Sequence, residues 1–346
     1  MYLVTGAAGH LGGAVIAQLC AQKKMVRALV LDGDPNAARL PASVERFTGD
    51  VTDLKSLEPA FAVRRGQKLV VIHAAGIVSI ASKYDPRVYR VNVQGTRNIV
   101  DLCCEKKVKR LVHVSSVHAI PERPRGEAIS EVDRFDPALV EGVYAKTKAE
   151  ATQYVLDAAR TKGLDACVVH PSGISGPGDC GRGHVTQLVI DYCNGSLTAG
   201  VDGGYDFVDV RDVAAGIVSC CERGRKGECY ILSNRYFTVA DLLDVFHEVT
   251  GKRRIRTFLP LWFAKGTAGM AEAWYRLKKQ PPLYTAYSLY TLASNAEFSH
   301  DKAARELGYT TRPFRQTIED TVRWLRAEGR IQDKGRRAKV RKKAMA

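Results

Sequence analysis

Val4-Thr5-Gly6-Ala7-Ala8-Gly9-His10-Leu11-Gly12 joins two apolar patterns of different period. Before it stands Met1-Tyr2-Leu3-Val4, a short buried strand. After it, Leu11, Val15 and Leu19 recur at i, i+4 and i+8 on one helical face. The glycines therefore occupy a strand-to-helix turn. Lacking Cβ atoms, they admit backbone angles that other residues avoid and let the main chain approach a ligand closely. The unpaired N–H groups and positive dipole end of the helix favour a phosphate on that turn. This is the physics of a dinucleotide pyrophosphate site, with Gly6, Gly9, His10, Leu11 and Gly12 around the phosphates. The spacing is G-x-x-G-x-x-G, one residue longer between the first two glycines than the G-x-G-x-x-G fingerprint.

Working outward, Met25–Leu31 reads as a second strand and ends at Asp32. A carboxylate there can accept hydrogen bonds from both adenosine ribose hydroxyls and repels a 2′-phosphate, so NAD is expected over NADP. Arg27 and Arg39 keep NADP open, and Asp32 could instead simply begin the Asp32-Gly33-Asp34-Pro35 turn. Further on, Asp50 and Val51 could flank the adenine, one bonding its amino group and the other packing on it. Lys68–Ile72 is an apolar strand followed by His73-Ala74-Ala75-Gly76, small residues suited to a cofactor lying across the carboxyl ends of a sheet. A lone histidine such as His73 is more often a packed polar residue than a catalyst.

Helices over Val88–Lys107 and Leu139–Lys162 alternate with strands over Lys109–Val114 and Asp165–Val169. That alternation predicts an α/β fold: a Rossmann-type doubly wound parallel sheet covered on both faces. Residues 1–170 with 205–235 are expected to form the sheet domain. Residues 171–204 with 236–330 are expected to form a smaller substrate-binding cap, with the substrate in the cleft between. The aromatic-rich region 259–298, with Trp262, Phe263, Trp274, Tyr275, Tyr284, Tyr287 and Tyr290, could line a pocket for a large apolar ligand or fill a small core.

Composition narrows the class. With 45% hydrophobic residues over 346 positions the chain can bury a large core. No apolar run approaches the ~18 residues of a membrane span. Strand residues begin at Met1, so a cytoplasmic protein without a signal peptide is expected. The nine cysteines form no C-x-x-C, which argues against a zinc site and for a reducing compartment. The net charge of +15 is concentrated at the end: residues 330–346 hold eight basic side chains against Asp333, a net +7. A solubilising tail is the preferred reading; contact with an anionic membrane surface is the sharper one. The tail has no aromatic residue to stack on bases, so nucleic acid is not expected as a partner.

Tyr144 and Lys148 stand at i and i+4 and so share a helical face. Hydride transfer at a carbinol carbon must be matched by a proton at its oxygen. Free tyrosine titrates near ~10, and a lysine ammonium one turn away, with the positive charge of an oxidised nicotinamide, favours its phenolate form. Lys148 could also bond the nicotinamide ribose. A serine at the end of a central strand, Ser115 or Ser116, could hold the substrate oxygen in line.

Taken together, these motifs resemble the extended short-chain dehydrogenase/reductases. The resemblance rests on Thr5–Gly12, Gly49-Asp50-Val51, His73-Ala74-Ala75, Asn92-Val93-x-Gly95-Thr96, Val114-Ser115-Ser116, Tyr144-x-x-x-Lys148, the Pro171–Asp179 segment and Asp209-Val210-x-Asp212-Val213-Ala214, over about 1–330. It implies Tyr144 as general acid/base, Lys148 as its electrostatic partner and Ser116 as the group that binds the substrate oxygen. It adds Pro171 and Gly173 to Asp32, Asp50, Val51, Ala74 and Ala75 around NAD. It also implies a homodimer. Dehydratases of this family usually carry Asp-Glu after the serine, where this chain has Val117-His118. Its epimerases usually carry an arginine just before the Asp-Phe-Val segment, where this chain has Tyr205. The pattern is more similar to the dihydroflavonol reductase and 3β-hydroxysteroid dehydrogenase branch. The implied activity is interconversion of a secondary alcohol and a ketone on a bulky, largely apolar substrate. The alternatives are a nucleotide-sugar epimerase with tightly bound NAD, or a catalytically silent NAD(P)-sensing regulator.

Overall fold

Seven parallel strands form the centre of the computed structural model, which describes residues 1–79, 85–181, 183–266 and 286–331. In chain order the strands are β1 (Tyr2–Thr5), β2 (Val26–Val30), β3 (Glu45–Thr48), β4 (Val70–His73), β5 (Arg110–Val114), β6 (Ala166–Pro171) and, far along the chain, Cys229–Leu232. Their order across the sheet is β3-β2-β1-β4-β5-β6 and then Cys229–Leu232. The winding reverses between β1 and β4, whose registers pair Thr5 with His73. Ligands of open α/β sheets settle at the carboxyl ends of strands flanking such a reversal.

The apolar runs explain the layers. Strands β2, β4 and β6 are buried at every position, as a sheet covered on both faces requires. One core unites Val4, Val15, Ile16 and Leu19 with Val213, Ile217 and Tyr230. It packs α1 (His10–Ala21) and the helix Val210–Arg223 on one face. The other core joins Leu57, Phe61, Ile99, Val100, Ala149 and Val155 beneath α2 (Leu54–Phe61) and two longer helices. The first of these begins at Pro86–Tyr89, passes through a π-helical stretch Arg90–Gly95 and continues as Thr96–Glu105. The second, Val143–Thr161, carries the Tyr144–Lys148 pair. A third core joins Val189, Tyr192, Leu242, Phe246, Ile318 and Val322 across the helices His184–Asn194, Val239–Thr250 and Phe314–Ala327.

The structure differs from the sequence expectation around 173–209. The Pro171–Asp179 segment contains a strand, Gly173–Ser175, which pairs with Gly204–Asp209; that strand in turn pairs with Tyr236–Thr238. So 205–209, expected with the main sheet, runs in a separate three-stranded sheet. The helix and strand after it, Val210–Arg223 and Cys229–Leu232, do return to the main sheet. The short apolar run Phe207-Val208 gave no means of choosing between the two sheets. Of the aromatic-rich region, Trp274, Tyr275 and Tyr284 fall outside the described residues, as does the basic tail beyond 331. Among the described residues no helix is long and apolar enough to cross a membrane.

Candidate functional site

The glycine turn packs directly on the end of β4. Gly6 sits at φ +65°, and a Cβ there would meet the Ala74 carbonyl and the Ala75 Cα at 2.8 Å. Gly12 lies against the Gly6 carbonyl with no room for a side chain. Gly9, exposed, is the N-cap of α1; no side chain caps that helix and no acidic residue stands in its first turn. The turn thus offers backbone N–H groups to an anion without a competing carboxylate. His10 Nε2 lies 3.1 Å from the Pro177 carbonyl and ties the turn to the loop after Gly173–Ser175. Asp32 is exposed just past β2. Asp50 Oδ1 accepts from Thr52 N at 2.8 Å and from the Thr52 hydroxyl at 2.9 Å, which fixes the carboxylate beyond β3. Val51 is buried, and Gly95 packs against its side chain. Pro171 ends β6, while Gly173 lies against Tyr205, Asp206 and Phe207, where a Cβ would not fit. The residues expected around a dinucleotide fit one: bare backbone at the switch point, an uncapped helix and an acid beyond β2.

Behind the turn, a chain of hydrogen bonds with one consistent direction crosses the sheet. The Thr96 hydroxyl donates to the Asn92 carbonyl at 2.6 Å, so it accepts from His73 Nε2 at 3.0 Å. His73 Nδ1 is then the acceptor of the Thr5 hydroxyl at 2.8 Å, and Thr5 Oγ1 accepts from Ala75 N at 3.1 Å. His73 is therefore neutral; burial and then the Lys148 charge hold it down to about 3. It braces the β1–β4 switch point and has no contact with the cleft.

Tyr144 and Lys148 both lie inside, 7% and 6% exposed. Lys148 Nζ donates to the Val114 carbonyl at 2.8 Å, and loss of solvent lowers the ammonium to about 8. Gly76 backbone lies close to Lys148 Nζ and the Asn92 side chain. Asn92 is held by Ile77, accepting from its N at 2.8 Å, and donates to the Thr147 hydroxyl at 3.2 Å. Thr147 in turn donates to the Tyr144 carbonyl at 2.8 Å. The π-helical stretch is thereby pinned to the turn that carries the pair. Burial pushes the Tyr144 phenol up to about 12, with the Ser116 hydroxyl pulling it the other way. The two serines have separate partners: Ser115 Oγ pairs with Thr152 at 2.6 Å, while Ser116 meets Tyr144.

A cleft opens beside Tyr144. It has about 490 Å³ of space between atoms, about 70 Å³ of it roomy enough for water, so a bulky ligand must displace side chains to enter. Val117, Ile120, Ile129, Leu139, Val140 and Phe298 supply apolar walls. His118, Tyr205, Tyr287 and Tyr290 add rings; Glu122 and Glu141 are the charged side chains. Glu122 accepts from Tyr290 at 2.9 Å and from Asn295 N at 2.7 Å. No lysine or arginine lines the cleft among the described residues. His118, whose N–H is capped by Ser116 at 3.3 Å, stacks on Tyr205 at 5.6 Å and meets the edge of Tyr144 at 5.9 Å.

Tyr205 was singled out by its place in the sequence; Gly142 was not. At φ +91° it opens the Tyr144 helix, and the Tyr287 ring lies where its Cβ would be. A glycine immediately before a helix is a cap signal, and nothing in the sequence links it to a tyrosine so far along the chain.

Residues 2–233 match the model of the NAD dependent epimerase/dehydratase family. The chain is 32% identical over 335 residues to sterol demethylase protein B of Methylococcus capsulatus, covering 95% of this chain and 99% of the relative. It is 29% identical over 341 residues to a putative dihydroflavonol 4-reductase of Synechocystis, covering 95% and 96%. The crystal structure of gox2253 superposes with a TM-score of 0.82 at 32% identity, covering 96% of this chain and 99% of that one.

Proposed function

The chain belongs to the NAD-dependent epimerase/dehydratase family, and within it we propose an oxidoreductase that interconverts a secondary alcohol and a ketone on a bulky, largely apolar substrate. The observation that carries this reading is the lining of the cleft. A sugar nucleotide brings a diphosphate, which needs cations or uncommitted N–H donors when it leaves water. The described lining offers two carboxylates, apolar walls and aromatic rings instead. Names of relatives, referring to a sterol and to a dihydroflavonol, support a ring-fused substrate.

In this reading Gly6, Gly9, His10, Leu11 and Gly12 hold the pyrophosphate, Asp32 the adenosine ribose, Asp50 and Val51 the adenine, and Ala74 and Ala75 floor the cofactor. Pro171 and Gly173 border its nicotinamide end. NAD supplies the hydride acceptor for oxidation, or as NADH the donor for reduction. Ser116 orients the substrate oxygen. Tyr144 gives that oxygen a proton in reduction and takes one in oxidation. Its phenol is held protonated by burial, so it is ready as an acid. Acting as a base needs nearby positive charge, which the Lys148 ammonium contributes. Lys148 loses that charge as pH rises past about 8, so alcohol oxidation should fall off above it.

The test is absorbance of NADH with NAD or NADP and a panel of hydroxysteroids, other apolar alcohols and UDP-sugars. NADH formed from an apolar alcohol is the expected result. Interconversion of a UDP-sugar without net NADH would replace this reading with an epimerase. Tyr144→Phe should cut turnover by about 10²- to 10⁴-fold while NAD still binds, as followed by fluorescence titration; retained turnover would remove Tyr144 from its role.

A further inference from the structure

His170 and Pro171 decide how β5 and β6 part company. The ladder between the two strands runs regularly up to Ser115 N, which donates to the Val169 carbonyl at 2.8 Å. On its other side β6 turns alternate N–H groups to the strand Cys229–Leu232: Val168 N donates to the Glu228 carbonyl at 3.0 Å and Ser172 N to the Leu232 carbonyl at 3.3 Å. The next N–H to face β5 would be that of residue 171, a proline with none to give. The His170 side chain makes the next crossing instead. Its Nδ1 lies 2.9 Å from the Ser116 carbonyl oxygen in a buried contact. A carbonyl only accepts, so Nδ1 carries the proton and Nε2 is a bare acceptor. Among the described residues that Nε2 has no partner. The ring lies flat on Phe135, with 5.1 Å between centroids and 6° between planes. Burial lowers it to about 4 and so keeps it neutral.

A buried acceptor left unpaired is destabilising. A leucine would pack on Phe135 without one, so packing does not account for the histidine; its Nδ1 bond does. That bond lands on the residue whose hydroxyl meets Tyr144. Ser116 is extended, at φ −161° and ψ 153°. Its carbonyl also accepts from Ala119 N at 3.0 Å, and its hydroxyl accepts from His118 N at 3.3 Å. Those two bonds belong to the turn Val117–Ala119 and move with it. The His170 bond ties the Ser116 peptide to β6, past the point where the ladder stops. We propose that His170 is a positioning residue: through the Ser116 carbonyl it holds the serine hydroxyl in line with Tyr144 and the substrate oxygen, acting from behind the site where it is wholly buried. The inference rests on the oxidoreductase reading and supplies the support for its oxygen-binding serine.

The probe is a 3β-hydroxysteroid with NAD, followed as NADH. His170→Leu should lower kcat by about ten- to a hundredfold, with KM for NAD unchanged. The amide nitrogen of asparagine falls where Nδ1 stands, and that of glutamine where Nε2 stands. His170→Asn should therefore regain all but about threefold of the loss, while His170→Gln should not. Ser116→Ala keeps the carbonyl and removes the hydroxyl; in that background His170→Leu should change kcat by less than about twofold. Titration with NAD, followed by fluorescence, reports the fold of each variant. If His170→Leu fails it, the kcat ratio of His170→Asn to His170→Gln, expected at about tenfold, decides alone. Equal kcat for the asparagine and glutamine variants, or a full His170→Leu loss in the Ser116→Ala background, overturns the inference and leaves the oxidoreductase reading standing. No NADH from any alcohol of the panel with the unaltered protein overturns that reading and takes this inference with it.

Discussion

The two sides of the cleft are built by different means. On the cofactor side, the backbone makes the site: Gly6, Gly9 and Gly12 within one turn, with Gly6 packed on Ala74 and Ala75 just past the end of the neighbouring strand. On the substrate side, side chains make it: His118, Tyr205 and Tyr287 come from three separate segments and meet by hydrogen bonds between their tips. A backbone site tolerates almost no change of shape and binds an invariant group. A side-chain site can be re-lined residue by residue without disturbing the sheet, which is how one fold serves many substrates.

Paired glycine substitutions put that contrast at risk. Gly12→Ala places a methyl group against the Gly6 carbonyl, with backbone on both sides and nothing able to give. A loss of about 1–3 kcal/mol or more is expected, seen as a lower Tm together with failure to bind NAD. Gly142→Ala combines φ +91° with a collision on the Tyr287 ring. It should cost about 1–2 kcal/mol, yet leave NAD affinity near its original value while KM for the alcohol rises. If Gly142→Ala weakens NAD as much as Gly12→Ala does, the two sides are not independent. The smallest effect belongs to Asp32→Asn, at the exposed edge. A shift of about tenfold in the NAD/NADP ratio of kcat/KM, or about 1.4 kcal/mol, should come with no change in Tm. An unchanged ratio would assign Asp32 to the turn alone.

The same contrast governs what could be read from the sequence. The glycine turn, the strand alternation and the i, i+4 pair Tyr144–Lys148 are local, and local spacing is what a sequence displays. The family and the doubly wound sheet followed from them. The register of 204–209 did not, because a short apolar strand suits either sheet and its partner Gly173–Ser175 is hidden in a turn-rich segment. His73 was set apart as packing, and the hydrogen-bond chain from Thr5 to Asn92 gives its physical reason. The meeting of His118 with Tyr287, 169 residues apart, leaves no local trace. The expectation that Lys148 draws Tyr144 toward phenolate meets an opposing effect that no spacing reveals: burial raises the Tyr144 phenol and lowers the Lys148 ammonium.

The neutral histidines have a consequence for handling the protein. His73, His118 and His170 are held at about 3, 4 and 4 by burial, and His113, buried between its neighbours in the sheet, is held well below its usual range. An unfolded chain takes up protons on these rings near ~6.5, whereas the folded chain does not. Stability is thus complete above that pH and drains away as pH falls toward about 4, each ring costing on the order of 2 kcal/mol by pH 5. Urea midpoints measured at stepwise lower pH should fall steeply below neutrality. His113→Phe should flatten part of that slope, so acidic elution or crystallisation buffers would select against the native protein.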